Sequence, residues 1–329
     1  MRVAGWDGDR WRRTTTALVT AALALALAAG IAAAPPQPAA HRAAPPRLRA
    51  ALTLPTLLRV PGDPARLPWP ATGQAALAVA GVGDLGSSGP PRPVPIASVA
   101  KAMTAYLVLT RHPLAPGGQG PPILVTAADA AEYVACRRRG EAAVRVVAGE
   151  TLTERQALEA MLLPSANNIA RMLARWDSGS VPGFVARMNA TADRLGMTGT
   201  SYTDPSGLDP STTSTAADQV RLGMAAMRVP VLAAIAAMPM AVVPVAGLVR
   251  NYNTLLGQDG ITGLKTGSTQ AAGGCVLIAA WHKASGHRTL IVAAAFGQPG
   301  TAETILPNAL QAGHNLVLAL DRALGHSRR

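Results

Sequence analysis

The order of strand-like and helix-like segments beyond residue 70 restricts the fold of this chain more than any other feature. A strand pattern at 75–81 comes first, and a Gly- and Pro-rich turn or frayed second strand follows at 85–95. Helical patterns fill the middle of the chain, and strand patterns cluster again before a closing helix. This order favours an antiparallel sheet with a helical insertion, an α+β arrangement.

Hydrophobic periodicity and Gly or Pro breaks delimit the individual segments. The predicted helices are 98–110, 127–136, 153–163, 167–176, 183–195, 214–227, 230–238 and 302–324. The remaining predicted strands are 123–126, 144–147, 241–249, 261–267, 275–283 and 288–296.

The N-terminal segment predicts export from the cytoplasm. Arg10, Arg12 and Arg13 precede an uncharged run whose apolar part, 17–34, is 18 residues long. That length suits either a membrane anchor or a signal peptide. We favour an uncleaved anchor, because Pro35 follows the Ala32-Ala33-Ala34 cleavage site. The positive flank places the bulk of the chain outside in either case.

Three regions follow from these boundaries. We expect a cytoplasmic stub with an anchor or signal peptide at 1–34, a Pro- and Ala-rich linker at 35–70 and one globular domain at 71–329. The linker holds ten of the 27 prolines, and such composition favours extended, semi-rigid chain.

The charge does not point to nucleic acid. The net charge is +12, but the arginines of the domain are scattered apart from Arg137, Arg138 and Arg139, and no aromatic-interleaved basic stripe exists. We therefore expect no nucleic-acid partner and only a weak attraction to an anionic cell envelope.

The cysteines and histidines do not predict a metal site. Cys136 and Cys275 are compatible with one disulfide outside the cytoplasm or with two separate buried thiols. His282 and His287 flank a turn between predicted strands, where exposed polar residues are expected. No His, Cys and carboxylate cluster has ligand spacing, so we expect no metal and no organic cofactor.

Lysine usage points to amine chemistry. Only three lysines occur against 27 arginines, and two of them lie in short motifs, Ser98-Val99-Ala100-Lys101 and Lys265-Thr266-Gly267. A buried lysine can lose its proton and act as a base, whereas arginine cannot. On a helix, Ser98 and Lys101 would share one face, so that the hydroxyl and the amine meet. A single Ser-x-x-Lys is more often a capping serine followed by a surface lysine.

Two further motifs accompany this pair. Ser165-Ala166-Asn167 follows a proline and is either a helix cap or a second hydroxyl with an orienting amide. Lys265-Thr266-Gly267 lacks the order of a phosphate-binding loop. On an edge strand, Lys265 and Gly267 would share one face. The lysine would offer a positive charge to an anionic substrate group, and the glycine would let a substrate backbone approach closely.

Together, the three motifs in this order resemble those of the penicillin-recognising serine acyltransferases. The chain is similar to serine D-Ala-D-Ala carboxypeptidases over about residues 75–300. The segments that carry this similarity are 97–105, 163–168, 188–189, 195–197, 204–208, 214–218, 251–256 and 260–267. The resemblance implies an antiparallel five-stranded sheet flanked by helices, with an all-helical insertion.

The resemblance also implies a serine-type D-Ala-D-Ala carboxypeptidase. Ser98 would attack the carbonyl between the terminal D-alanines of a peptidoglycan stem peptide, and Lys101 would take its proton. Ser165 would carry that proton towards the leaving D-Ala. Water would then hydrolyse the acyl-enzyme, and β-lactams would leave a long-lived acyl-serine as inhibitors.

The implied substrate-binding residues are Asn167, Lys265, Thr266, Gly267 and Ser268. Asn167 would orient the acyl part of the substrate. Lys265 would lower the pKa of the general base and attract the substrate carboxylate, near which Thr266 would donate a hydrogen bond. The backbone N–H groups of Ser268 and of the nucleophile would form the oxyanion hole.

Three alternatives stay open within this resemblance. A peptidoglycan endopeptidase would use the same residues, and the absence of a basic residue at 301–306, where relatives often carry an arginine, weakens strong carboxypeptidase activity. A β-lactamase is disfavoured because 177–218 contains no Glu. A non-catalytic envelope-binding module that kept the fold is the remaining alternative.

Overall fold

The computed structural model describes residues 67–284 and 287–326 of the chain. The predicted stub, the anchor or signal segment and the linker up to residue 66 lie outside the described residues. In the range that the structure covers, no single helix is long and apolar enough to cross a membrane, and one bent pair of helices meets that criterion only when its two halves are combined.

The described chain contains the following elements. The strands are β1 (Gln74–Val79), β2 (Gly83–Ser88), β3 (Val94–Pro95), β4 (Pro122–Leu124), β5 (Thr151–Thr153), β6 (Thr213–Ser214), β7 (Met240–Val243), β8 (Gly247–Arg250), β9 (Ile261–Thr269), β10 (Gly273–Ala284) and β11 (His287–Gln298). The helices are α1 (Lys101–Arg111), α2 (Ala127–Arg138), α3 (Glu154–Leu162), α4 (Asn167–Ser178), α5 (Val181–Arg194), α6 (Ala216–Ala226), α7 (Pro230–Ala236) and α8 (Ile305–His326).

A five-stranded antiparallel sheet with strand order β2-β1-β11-β10-β9 confirms the predicted fold class. Helices cover both of its faces. In β10, Leu277 and Ala279 face the cluster formed by the helical insertion, whereas Val276 and Ile278 face the cluster formed with α8. Successive side chains of a strand point to opposite faces, so a doubly covered sheet needs apolar residues at every position. This explains the uninterrupted apolar runs of the C-terminal strands.

The apolar cluster between the sheet and α8 also contacts residues that precede position 71, the predicted start of the domain. Leu67 and Trp69 pack against the apolar residues between the sheet and α8.

Two strand predictions are wrong. Residues 144–147 form no strand, because the side chain of Asn168 takes both backbone groups of Val144, accepting from its N–H at 3.1 Å and donating to its carbonyl at 2.9 Å. Residues 241–249 are not one strand but the hairpin β7–β8. Pro244 and Val245, with φ +58°, form its turn.

The expectation of an exposed His282 is also wrong. Even-numbered residues of β10 face α8, and His282 is accordingly buried, with Nδ1 2.5 Å from Oδ1 of Asp321 on α8. The two cysteines are separate buried thiols and form no disulfide. Cys136 lies on α2 and Cys275 lies in β10.

Candidate active site

Ser98 lies in a 3-10 turn, Ala97–Ala100, that leads directly into α1. The α-helix therefore begins at Lys101 and not at the serine. Ala97 has φ +46°, a conformation that costs energy for a residue with a side chain and that often marks functional sites. The turn packs against β9 so tightly that a Cβ on Gly267 would lie 2.8 Å from Ser98 N. Glycine at this position lets β9 lie along Ser98.

The amine of Lys101 meets the serine and two acceptors. Lys101 Nζ is 2.8 Å from Ser98 Oγ, 2.7 Å from Asn167 Oδ1 and 3.0 Å from the carbonyl oxygen of Ser206. The residue is completely buried. An amide oxygen and a peptide carbonyl can only accept, whereas the hydroxyl of Ser98 can also donate. A neutral amine has two N–H bonds and one lone pair, so its lone pair is left for the proton of Ser98.

The surroundings favour the neutral form of this amine. Burial and then the charge of Lys265 lower the pKa of Lys101 well below its usual range, and Arg171 acts in the same direction. The carboxylates of Asp204 and Glu141 oppose this shift without cancelling it. Burial also lowers the pKa of Lys265, to about 7. The site can therefore supply a basic lysine near neutral pH.

A turn anchored by Asp204 supplies the Ser206 carbonyl. The Asp204 carboxylate accepts hydrogen bonds from Gly207 N at 3.0 Å, from Leu208 N at 3.2 Å and from Thr212 Oγ1 at 2.9 Å. Gly207 has φ +73°, and a Cβ there would lie 1.8 Å from the carbonyl oxygen of Ala97. The Asp204 turn can thus approach the 3-10 turn that contains Ser98 only with glycine at this position.

Ser165, the predicted second hydroxyl, is buried in the loop between α3 and α4. Its backbone has φ +62°, outside the range that serine usually adopts. Its Oγ is buried and has no hydrogen-bond partner among the described residues. Buried hydroxyls are nearly always paired, so an unpaired one suits a group that bonds to a substrate.

Asn167 is the first residue of α4, and hydrogen bonds to the loop before β5 hold it in place. Its backbone N–H donates to the carbonyl of Ala142 at 2.8 Å. Its side-chain Nδ2 donates to Oε2 of Glu141 at 3.2 Å, while Oδ1 faces Lys101. The amide therefore links Lys101 to a carboxylate outside the three motifs.

The third motif lies on β9, which is one of the two edge strands of the five-stranded sheet. Lys265 and Thr266 are buried, and Lys265 Nζ donates to the carbonyl of Thr266 at 2.8 Å. Ser268 is exposed at the end of the strand. The structure thus brings the first two motifs into direct contact and places the third against Ser98 through Gly267.

Three contributors to the site were not predicted from the sequence: the carboxylate of Glu141, the guanidinium of Arg171 and the carbonyl of Ser206. Arg171 Nη1 donates to Oε2 of Glu141 at 3.0 Å. Arg171 follows Asn167 by four residues, and this helical spacing was a usable signal. Glu141 and Ser206 lie in loops, where no periodicity reveals them.

A cavity of about 370 Å³ opens beside the end of β9 and contains no charged side chain. It is lined by Ser268, Thr269, Gln270, Gly300, Thr301, Ala302 and Ile305. Over residues 67–284 and 287–326, no group of three or more His, Cys, Asp or Glu side chains is arranged to hold a metal ion.

Solved structures share this fold. The DD-transpeptidase of a Streptomyces strain superposes with a TM-score of 0.65 at 21% identity, over 78% of this chain and 99% of that chain. A penicillin-binding protein homologue from Mycobacterium tuberculosis superposes with a TM-score of 0.63 at 30% identity, over 80% of this chain and 94% of that chain. The fold is therefore that of the penicillin-binding proteins and DD-transpeptidases.

The family follows from the sequence match. Residues 85–296 match the model of the D-alanyl-D-alanine carboxypeptidase family, peptidase S11, and the chain belongs to that family.

Curated relatives in this family carry two kinds of name. The D-alanyl-D-alanine carboxypeptidase DacB2 of Mycobacterium tuberculosis is 42% identical over 161 residues, 47% of this chain and 54% of the relative. A D-alanyl-D-alanine endopeptidase of Pseudomonas aeruginosa is 35% identical over 201 residues, 58% of this chain and 61% of the relative. The matches thus span little more than half the length of these relatives.

Proposed function

We propose that this chain is a serine-type D-Ala-D-Ala carboxypeptidase that trims peptidoglycan stem peptides through an acyl-Ser98 intermediate. The observation that carries the proposal is the set of contacts around Lys101 Nζ, two acceptors and the Ser98 hydroxyl, all within 3.0 Å. Such an arrangement uses the amine as a general base for the adjacent nucleophile.

The chemistry begins with proton transfer from Ser98 Oγ to the lone pair of Lys101. The oxygen attacks the carbonyl of the penultimate D-Ala, and the backbone N–H groups of Ser98 and Ser268 stabilise the negative charge that develops on the carbonyl oxygen. The C–N bond then breaks as the proton passes through the hydroxyl of Ser165 to the departing amine. Lys101 then takes a proton from water as the water oxygen attacks the ester, and it gives this proton to Ser98 Oγ as the ester bond breaks, which restores the neutral amine and the serine hydroxyl.

Substrate binding falls to the edge strand and to Asn167. The Asn167 amide orients the acyl part, while Lys265 and Thr266 supply charge and a hydroxyl near the terminal carboxylate of the substrate. Gly267 leaves space for the peptide backbone beside β9. A β-lactam mimics the D-Ala-D-Ala amide, and its ring-opened acyl group would stay on Ser98.

An endopeptidase is the second candidate. The cavity beside Ser268 has no charged lining residue, and residues 301–306 contain no basic residue. A neutral cavity suits a leaving group whose amine belongs to a cross-linked peptide better than one with a free carboxylate.

The cellular setting of the proposal is the outer face of the plasma membrane. The apolar run at 17–34 would anchor the chain there or direct its secretion, and the linker at 35–70 would hold the domain at 71–329 near peptidoglycan. The partners would be stem peptides and β-lactams, with no role for nucleic acid or a cofactor.

Two substrates test the choice between these activities. Wild-type protein and the Ser98→Ala variant would be incubated with an N-acylated peptide ending in D-Ala-D-Ala and with a cross-linked dimer, and the products measured by mass spectrometry. Release of D-Ala from the linear peptide by wild type alone supports a carboxypeptidase. Cleavage of the dimer alone favours an endopeptidase, and no turnover of either favours a non-catalytic module.

A further inference from the structure

The carboxylate of Glu141 fixes which way the Asn167 side chain faces. Glu141 is buried, and its Oε2 accepts from Asn167 Nδ2 at 3.2 Å and from Arg171 Nη1 at 3.0 Å, while its Oε1 accepts from Arg139 Nε. An ionised carboxylate has no proton to donate. The amide must therefore turn its NH₂ group to Glu141 and its oxygen to the general base.

The charge state of Glu141 supports this one-way bond. Burial disfavours the charged form, but the hydrogen bond from Arg139 and the charge of Arg171 outweigh it and lower the pKa of Glu141 to about 2. The carboxylate is then ionised throughout the range in which a lysine base works.

The orientation of the amide matters for the proton balance at Lys101. With Oδ1 at 2.7 Å, the amide accepts one N–H of the neutral amine, and the Ser206 carbonyl accepts the other. The lone pair then faces Ser98. If the amide were reversed, its NH₂ group would face the amine and compete with the serine for that lone pair.

We propose that Glu141 is a positioning residue of the active site, which holds the Asn167 amide in one orientation and so reserves the Lys101 lone pair for Ser98. The inference rests on the proposed role of Lys101 as the general base. Glu141 itself acts through Asn167 and needs no contact with the substrate.

The network around Glu141 offers a matched control. Glu132 accepts from the same two arginines, from Arg139 Nη2 at 3.1 Å and from Arg171 Nη1 at 2.7 Å. In the described part of the chain, its hydrogen bonds do not include Asn167. Removal of the Glu132 charge disturbs the two arginines in the same way as removal of the Glu141 charge. The hydrogen bond from the Asn167 amide to Glu141, however, is kept.

The test measures acylation of the full chain by a fluorescent penicillin, with the limiting rate constant separated from the dissociation constant for non-covalent binding. The proteins are wild type, Glu141→Gln, Glu132→Gln, Asn167→Ala and the double variant Glu141→Gln/Asn167→Ala. Rates are taken on the pH plateau, because Lys265, Asp204, Arg171 and Glu141 all act on the charge of Lys101. Thermal melting confirms the folded fraction of each protein.

We expect Glu141→Gln to lower the limiting rate about tenfold or more, because a glutamine amide carries a donor beside its acceptor and so no longer fixes the Asn167 amide in one orientation. Glu132→Gln should leave that rate unchanged. In the Asn167→Ala background, Glu141→Gln should have no further effect, since the two residues act in one path. Glu141→Asp, which keeps the carboxylate, should react faster than Glu141→Gln.

Three results overturn the inference: a Glu141→Gln rate equal to wild type, an equal loss in Glu132→Gln, or an undiminished loss in the Asn167→Ala background. Should Glu141→Gln prove poorly folded, Glu141→Asp and Glu141→Ala replace it, and equal rates for these two would count against the carboxylate. A wild type that resists acylation would refute the proposed function, and this inference with it.

Discussion

Gly207 offers a test of how closely the Asp204 turn is fitted to the nucleophile. A Cβ at Gly207 would lie 1.8 Å from Ala97 O, 2.6 Å from Ala97 C and 2.9 Å from the Ala100 Cβ. The Gly207→Ala variant therefore carries two costs. Its left-handed backbone costs about 1–2 kcal/mol, and relief of the contact costs about 1–3 kcal/mol more. Movement of the turn would also withdraw the Ser206 carbonyl from Lys101.

Gly179 separates these two costs. It ends α4 with the same φ of +73°, but a Cβ there would meet no atom within 4 Å. Gly179→Ala should thus lose only the backbone contribution, about 1–2 kcal/mol, and keep full acylation activity. Urea unfolding and the rate of acylation by a fluorescent penicillin measure both effects. Equal stabilities for the two variants, with normal acylation of Gly207→Ala, would refute the argument.

Three further predictions concern buried polar groups. Burial and the nearby charge of Asp177 raise the pKa of Glu154 to about 7. The folded state thus keeps a proton that the unfolded chain loses above its ordinary pKa of 4.5, and stability should fall by about 3 kcal/mol between about pH 4.5 and pH 7. Glu154→Gln should remove this fall in urea unfolding; the same slope in both proteins would contradict it. The lowered pKa of Lys101 predicts that the acylation rate rises with pH and reaches its plateau well below pH 10.5, the ordinary pKa of lysine. A rate that still climbs in proportion to hydroxide at that pH would show that the amine is not perturbed. Asn168→Ala should destabilise the fold by about 2–4 kcal/mol, because it leaves the buried N–H and carbonyl of Val144 unpaired. A loss below about 1 kcal/mol in urea unfolding would mean that water replaces the amide.

The elements that sequence patterns predicted well are those that local chemistry determines. The C-terminal strands were found because uninterrupted apolar runs fill 275–281 and 290–296, and both faces of these strands are indeed covered. The N-cap residues of helices α2 and α3 are Thr126 and Thr153, whose side chains accept hydrogen bonds from the first turn. Such caps are visible in a sequence.

The errors have a different origin, because distant groups determine the local structure there. The strand pattern at 144–147 is real, but Asn168, 24 residues away, binds the backbone of Val144. His282 is buried because Asp321 on α8 pairs with it. Neither partner could be assigned before the packing of α4 and α8 was known.

The residues of the candidate site also fall into two groups, those with a local sequence signal and those that distant packing puts in place. Ser98, Lys101, Ser165, Asn167 and the β9 motif were predicted from short spacings, and the structure brings Ser98, Lys101, Asn167 and Gly267 of β9 together. The Glu141 carboxylate and the Ser206 carbonyl come from loops whose place depends on the whole fold. Their contribution is geometric, and a motif of three or four residues contains no information about it.

The most direct measurement of the central claim is the intact mass of the protein after incubation with benzylpenicillin, for wild type and Ser98→Ala. The proposed mechanism predicts a stable mass increase of one drug molecule in wild type and none in the variant. An adduct of equal yield in Ser98→Ala, or an unmodified wild type with intact drug, would contradict Ser98 as the acylated nucleophile. Consumption of the drug without an adduct would instead indicate fast deacylation, as in a β-lactamase.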